Sequence, residues 1–437
     1  MLRIIPVDSG SSVDNLRRME ATTQQERGAS TALEPSLSTR AGVASMDAQL
    51  LRRLLRSVGN PAIEFELLWS GERVSNAAAP LGQVRIQDRR TLFRLLRDPQ
   101  VHFGDAYSAG KIEVEGDLVK FMVLLFQMFP APQPRSLTAR IASWMHVSPR
   151  NTLARSRDDI HRHYDLGNDF YSLWLGETMA YTCAYYPTMH ATLEEAQTAK
   201  MDHVCRKMRL NAADFVIEAG CGWGSLALHM ARRYGAKVRA FNISKEQLEF
   251  ARWRAREQEL GARVEFIEDD YRNITGACTA FVSVGMLEHV GRDHYPELGR
   301  VVRRTMTTEG RGLIHSIGRN QPDRLQPWIE RRIFPGAYPP SIGEMMQVFE
   351  PASLSVLDVE NIRLHYARTL RHWLERYEKS IDAVRAMFDE RFALMWRLYL
   401  ASSIAAFETG TLQLFQVLFT KQENNAIPWT RAYMYPP

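Results

Sequence analysis

The sequence predicts an α/β chain, a mostly parallel sheet with helices on both faces, preceded by a small α+β N-terminal domain. Three observations carry this. From about Asp158 onward, helical and strand signals alternate at short intervals, the pattern of a parallel sheet with crossover helices. A glycine-rich turn joins the first such strand to its helix, in "VIEAGCGWGSLALHM". Before that, from Met46 to about Phe129, helices and alternating strands are mixed with no such regularity.

Residues 10–45 are polar, small and aperiodic, so 1–45 is expected to be disordered or weakly ordered. "LLRRLLRSV" has helical spacing with arginines on one side, while "AIEFELLW" and "GQVRIQD" alternate as strands. "RRTLFRLLRDP" reads as a short basic helix and "GDLVKFMVLLFQMF" as a more apolar one. These make a small domain over 46–134, closed by the proline signal Pro130 to Pro134. Residues 135–157 form a basic linker, either a solvated connector or a surface that touches anionic lipid. The third domain spans 158–437. Its first long helix, "TLEEAQTAKMDHVCRKM", opens on Thr192 with Glu195 three residues on, a capping box. Strands are expected at "DFVIEAG", "KVRAFNI", "RVEFIEDD", "TAFVSVG" and "GRGLIHSIG". Helices are expected at "SLALHMARRYG", stopped by Gly235, and at "SKEQLEFARWRAREQELG". The stretch from about 341 to 420 reads as largely helical.

The 437 residues, 45% hydrophobic and 24% charged, are ordinary for a folded protein with a large core. The net charge of +5 favours anionic partners without choosing among them. No RNA-binding signature accompanies the arginines, so no nucleic acid is expected. Cys183, Cys205, Cys221 and Cys278 form no C-x-x-C pair, so no metal site is expected, and a reducing cytoplasm suits them. Apolar runs such as "FMVLLF" fall far short of the roughly 20 residues of a spanning helix.

The glycine turn lacks the lysine of a phosphate loop, and Ser225 stands where a dinucleotide fingerprint needs its third glycine. The ribose-binding acid expected after the next strand is also missing, because that strand ends Ala240-Phe241-Asn242. What remains is an acid followed by alternate glycines: Glu218, Gly220, Gly222, Gly224. That spacing resembles the S-adenosylmethionine loop of Rossmann-like class I methyltransferases; a tight turn without a ligand is the plain alternative. Asp270, after the third strand, stands where such enzymes reach the adenine end, with Tyr271 beside it. Further on, "VSVGMLEHVG" places Glu288 and His289 just past a buried strand, where α/β sheets bind ligands.

Seven separated motifs carry a more specific resemblance: "HYDLGNDFYSLWLGETMAYTCAYY", "EEAQTAKMDHV", "EAGCGWGSLALHMA", "VSVGMLEHVG", "LIHSIG", "PWIERRIFPGAYPPS" and "LHYARTLRHW". The chain resembles the cyclopropane-fatty-acyl-phospholipid synthases and their shorter relatives that modify mycolic acids. "VRIQDRRTLFRLLRDPQVHFGDAYSAGKIEVEGDL" is similar to the extra domain of the phospholipid-acting members. The resemblance implies methyl transfer from S-adenosylmethionine to a cis double bond of a phospholipid acyl chain, then ring closure after a base removes a proton. It implies a bound bicarbonate as that base, with ligands at Cys183, Glu288, His315, Tyr366 and the amide of Ile317. Tyr181, Asn242 and Gln247 match cofactor positions, although Asn242 stands where Thr is more usual and Glu218 where Asp is frequent. By itself a lone cysteine such as Cys183 is usually an inert core thiol, with a covalent nucleophile as the alternative. His289 either orients Glu288 or fills the turn, and "WIERRIFPGAYPPS" is a lid over the acyl chain or a proline-rich connector. The expected partner is a membrane phospholipid, met by a cytoplasmic protein peripheral to the inner face of the membrane; a homodimer is the assembly that analogy suggests. Other endings remain open: a methyl-branched or methylene chain, a small-molecule N-methyltransferase, or a nonenzymatic lipid-binding protein.

Overall fold

A computed structural model describes residues 45–128 and 166–435. The expected N-terminal segment, the proline signal, the basic linker and the start of the "HYDL" motif lie outside the described residues. Residues 45 onward form one compact unit.

The N-terminal part is built on a four-stranded sheet, ordered β2-β1-β3-β4, with β1 at Glu64–Leu67, β2 at Arg73–Ser75, β3 at Gln83–Ile86 and β4 at Ile112–Glu115. β2 and β4 escape the sequence reading: β2 is only three residues, and β4, though it alternates as Ile-Glu-Val-Glu, is only four. Four helices cover it: Met46–Ser57, Arg89–Arg97, Pro99–Ser108 and Leu118–Met128. Asp98 ends the second of these and caps the third, its carboxylate accepting from the Val101 amide, with proline at the first turn. This explains why "RRTLFRLLRDPQVHFGDAYS" holds two helices where the periodicity suggests one. The helices 99–108 and 118–128 both pack on the long helix Glu390–Glu408 of the second part.

That second part is a seven-stranded sheet in the order β10-β11-β9-β8-β5-β6-β7. The strands are β5 (Phe215–Ala219), β6 (Lys237–Asn242), β7 (Val264–Glu268), β8 (Cys278–Val284), β9 (Met306–Gly318), β10 (Leu354–Asn361) and β11 (Gln413–Lys421). β5 to β9 pair in parallel, and β11 runs antiparallel between β9 and β10. Helices on both faces bury two hydrophobic clusters, one on each side of β5 and β8. The capping box at Thr192 and Glu195 is present, opening the helix Leu193–Lys207. Gly235 ends Ser225–Tyr234 in the left-handed conformation, as expected.

One expectation is corrected. The region 341–420 is not simply helical, because it supplies β10 and β11. "QLFQVLFTK" is buried on both faces in the sheet, so it is mostly apolar, broken only by Gln416, and does not alternate; such a run looks like a buried helix. Among the described residues, no helix is long and apolar enough to cross a membrane.

Candidate active site

Two cavities open at the carboxyl ends of the parallel strands. The first is a cleft over the glycine turn. Gly220 and Gly222 adopt positive φ (+83° and +54°), and the Gly220 and Cys221 amides bond to the Phe241 carbonyl of the neighbouring strand. A side chain added at Gly222 would meet no atom within 4 Å, so its space belongs to whatever lies in the cleft. Tyr181, Glu218, Asn242, Gln247, Asp270 and Tyr271 all line this cleft. Asn242 Nδ2 donates to Gln247 Oε1 (2.8 Å), and Asp270 caps a short turn by accepting from the Arg272 amide. Glu218 is buried with one carboxylate oxygen lacking a partner, and burial pushes its pKa up to about 8. At Gly224, also at positive φ, a Cβ would sit 2.7 Å from the Phe266 ring, so this glycine lets the helix 225–234 pack close to β7 as well as ending the turn.

The second cavity is larger, about 820 Å³, within the range of small-molecule sites. Cys183, Glu288, His315, Ile317 and Tyr366 line one end of it. Glu288 stands on a single turn, Leu287–Val290, that follows β8, and His315 and Ile317 come from β9 beside it. Cys183 lies in an irregular segment pinned from two sides. Gln197 Nε2 donates to the Ala180 and Thr182 carbonyls, and the Ala184 and Tyr186 amides donate to Thr369 Oγ1 and His365 Nδ1. Tyr366 projects from the helix Arg363–Lys379 against the Phe407 ring.

Burial sets the charges here. It raises the Glu288 pKa to about 7, opposed by the amide of Ile317, which donates to Oε1 at 2.6 Å. Glu288 Oε2 is buried without a partner. The Cys183 thiol is pushed far above its usual range, so it is a neutral donor, hydrogen-bonded to the Ala184 carbonyl, and no thiolate nucleophile. Burial lowers His315 to about 3 and His289 to about 4, so both rings are neutral. The Ile317 amide, expected to face a separate anion, is already engaged by Glu288.

The rest of the large cavity is mostly apolar and drawn from both parts of the chain, with Arg319, Asp323 and Arg324 among its polar lining. Leu54, Phe65, Phe103, Phe121 and Leu125 reach it from the N-terminal domain, and Leu370, Leu398 and Phe407 from the long helices. The segment 319–329 closes another side, so "WIERRIFPGAYPPS" begins as a wall of the cavity. Ser402 and Ser403 also line it.

The cleft and the cavity share Tyr181, Thr182, Gly285 and His289. His289 thus lies in the partition between them. Tyr181 is held there by its hydroxyl contact with Tyr399 (2.8 Å) and by the rings of Trp174 and Trp373 at 5.3 and 5.4 Å. Lys200, which the sequence reading passes over, reaches the partition from behind: it is buried, donates to Thr182 Oγ1 (2.9 Å), and is lowered by burial to about 8. Nothing but its place in "EEAQTAKMDHV" signals it. On a helix with a polar solvent face, a lysine reads as exposed.

A glycine-turn cleft over a sheet of this order, touching a dry cavity with a buried carboxylate, defines a class I S-adenosylmethionine-dependent methyltransferase. The comparisons with known proteins agree. Residues 151–417 match the model of the family described as mycolic acid cyclopropane synthetase. A "Probable fatty acid methyltransferase" of Pseudomonas putida is 35% identical over 388 residues, covering 84% of this chain and 95% of that protein. The cyclopropane-fatty-acyl-phospholipid synthase of Escherichia coli K12 is 33% identical over 370 residues, covering 84% and 94%. Among solved structures, the mycolic acid cyclopropane synthase CmaA1, complexed with SAH and CTAB, is 26% identical with a TM-score of 0.58, covering 63% of this chain and 99% of its own. The chain belongs to the mycolic acid cyclopropane synthetase family, and it is an S-adenosylmethionine-dependent C-methyltransferase.

Proposed function

We propose that the chain converts the cis double bond of an unsaturated phospholipid acyl chain into a cyclopropane ring. The observation that carries this reading is the thin partition of Tyr181, Thr182, Gly285 and His289 between a cofactor cleft and a long apolar cavity. Bound in the cleft, S-adenosylmethionine supplies an electrophilic methyl group. Glu218, Gly220, Gly222, Asn242, Gln247 and Asp270 would hold it.

An alkene is a weak nucleophile and becomes cationic when alkylated, so the cavity must be dry and free of competing nucleophiles. The residues favour both demands. Most of the lining is apolar, with the polar side chains gathered largely on the segment 319–326; the thiol of Cys183 is neutral, and the imidazoles of His289 and His315 are neutral in their buried places. The aromatic face of Tyr181, backed by the rings of Trp174 and Trp373, favours a nearby cation. Ring closure then requires a proton acceptor within hydrogen-bond reach, and Glu288 Oε2 is the buried oxygen left open for that exchange. His315 and Tyr366 carry groups that could donate to a small oxyanion beside Glu288, and Cys183 could join them by turning its S–H away from the Ala184 carbonyl. Bicarbonate held there would supply the accepting base, with one proton shared because two adjacent negative charges would repel.

A phospholipid, rather than a free fatty acid, is favoured by the basic face of the N-terminal domain. Arg52, Arg53 and Arg56 are exposed on one helix, and Arg89, Arg90, Arg94 and Arg97 surround the exposed Phe93 on another. Such a face suits an anionic bilayer and a peripheral place on it.

The test is incubation of the purified protein with S-adenosylmethionine and vesicles of a cis-monounsaturated phospholipid, with the lipids read by mass spectrometry and proton NMR. A gain of one CH₂ per chain, loss of alkene protons and new upfield ring protons are expected. Retained alkene protons would replace the reading with a methylene or methyl-branching enzyme. Rates should fall on neutral vesicles and at high salt; equal rates throughout would remove the docking face.

A further inference from the structure

His315, Gln416 and Glu360 stand side by side on three adjacent strands. Gln416 of β11 is the register partner of His315 on β9 and of Glu360 on β10. Gln416 is fully buried and His315 nearly so, and Gln416 Nε2 lies 3.2 Å from His315 Nδ1. Behind Gln416 the row ends in Glu360, held by His203 Nε2 (2.7 Å) and Lys207 Nζ (2.5 Å) from the helix 193–207. An amide nitrogen can only donate. Its partner Nδ1 must therefore be unprotonated, and a neutral ring then carries its one proton on Nε2. This orientation leaves Gln416 Oε1 without a partner. In the opposite orientation Oε1 would accept from an Nδ1–H, so the tautomer of His315 reports the amide orientation directly.

We propose that Gln416 is a positioning residue that holds His315 as the Nε2–H tautomer, so that this ring offers the cavity a hydrogen-bond donor and never a base. The consequence rests on the reading of the cavity as the ring-forming site: with His315 confined to donation, the proton leaving the alkylated chain must go to Glu288 or to the anion it keeps. The role falls to a glutamine inside a strand, far from the other site residues in sequence.

The full chain labelled with [¹⁵N]histidine tests this directly, because two-bond proton–nitrogen correlations distinguish the tautomers. His315→Gln assigns the resonances. The wild type should show Nδ1 as the unprotonated nitrogen and Nε2 as the protonated one. Gln416→Met, similar in size but unable to donate, should release that preference. It should lower kcat roughly 10- to 100-fold, the size of effect seen when a ring-orienting partner is lost elsewhere, with the KM for S-adenosylmethionine unchanged. Gln416→Glu, offering an acceptor, should invert the tautomer. A wild-type His315 protonated on Nδ1 overturns the proposal, and so does a Gln416→Met protein that keeps both tautomer and kcat. The spectra need no lipid turnover, so absence of a cyclopropane product would remove the functional reading while the tautomer still decides the role of Gln416.

Discussion

The amide of Ile317 and the carboxylate of Glu288 meet at 2.6 Å, and this one contact orients the acid. It ties Oε1 to β9 and leaves Oε2 buried and unpartnered at the cavity. A hydrogen bond to a carboxylate favours ionisation, yet burial outweighs it here and the group rests at about 7. A carboxyl poised near neutrality can hold or release a proton with little driving force either way, which is what proton exchange beside a transient cation requires.

Glu288→Gln keeps the size and can still accept from the Ile317 amide, but it cannot take a proton. Its turnover should fall by roughly 10²- to 10⁴-fold, the usual range for a lost acid–base group, with S-adenosylmethionine affinity unchanged. Cys183→Ser should behave alike in direction and less in size, since a hydroxyl still donates. Titration calorimetry and methyl incorporation into vesicle lipid check both. Full turnover in both variants would remove the site assignment.

The same acid gives a pH-dependent stability of known sign. Its pKa is raised from 4.5 unfolded to about 7 folded. The folded state therefore binds more protons between those values, and the contribution present below about 4.5 is lost as pH rises through about 7. The loss is on the order of 3 kcal/mol. Glu218, raised by burial to about 8, adds a loss of the same sign. Glu288→Gln should thus be more thermostable than wild type at pH 8 and equal to it near pH 4.5, while kcat of the wild type falls as pH rises through about 7 and the proton shared with the bound anion is lost. Thermal melts across that range, beside a pH–rate profile, decide it; a variant less stable at pH 8 contradicts the account.

Much of this was legible in the chain. Helix–strand alternation and the capping box at Thr192 and Glu195 are local signals, and local physics produced them. Glu288 past β8 was readable because strand ends in such sheets are where ligands sit. The helix 193–207 shows the limit. Gln197, Lys200, His203 and Lys207 are polar and would be assigned to water, yet each is buried. They are tolerated because Thr182 and Glu360 take their donors, and those partners lie on other elements. The large cavity was equally hidden, since Leu54, Phe65 and Phe121 reach it from three elements of the N-terminal part, far away in sequence. Gln416 sat inside a strand that read as helix.

The glycines of the turn should separate into two kinds of variant. Gly222→Ala puts a methyl into the open cleft and strains a left-handed residue, costing on the order of 1 kcal/mol. Cofactor affinity should drop tenfold or more, with a small change in Tm. Gly224→Ala drives a Cβ to 2.7 Å from Phe266 and 2.9 Å from Ala251, also at positive φ. Overpacking adds roughly 1–3 kcal/mol, so its Tm should fall further than that of Gly222→Ala. Equal melting points with equal affinities would show that both glycines do the same job.

The final prediction concerns the seam between the two parts of the chain. Gly104, inside the helix Pro99–Ser108, lies under the Trp328 ring, and a Cβ there would come within 2.4 Å of it. Around that contact, Arg332 bonds Asp105 twice at 2.9 Å and Gln326 donates to the Gln100 carbonyl. The ion pair is partly exposed and should be worth about 1 kcal/mol or less, so Asp105→Asn should leave activity nearly intact. Gly104→Val must displace Trp328, a wall of the large cavity, and let water reach a space that has to stay dry. Its kcat/KM on long-chain lipid should fall at least tenfold, while S-adenosylmethionine affinity stays within twofold because the cleft is built from other elements. Unchanged lipid turnover in Gly104→Val would mean that the N-terminal domain lines the cavity without being needed to close it.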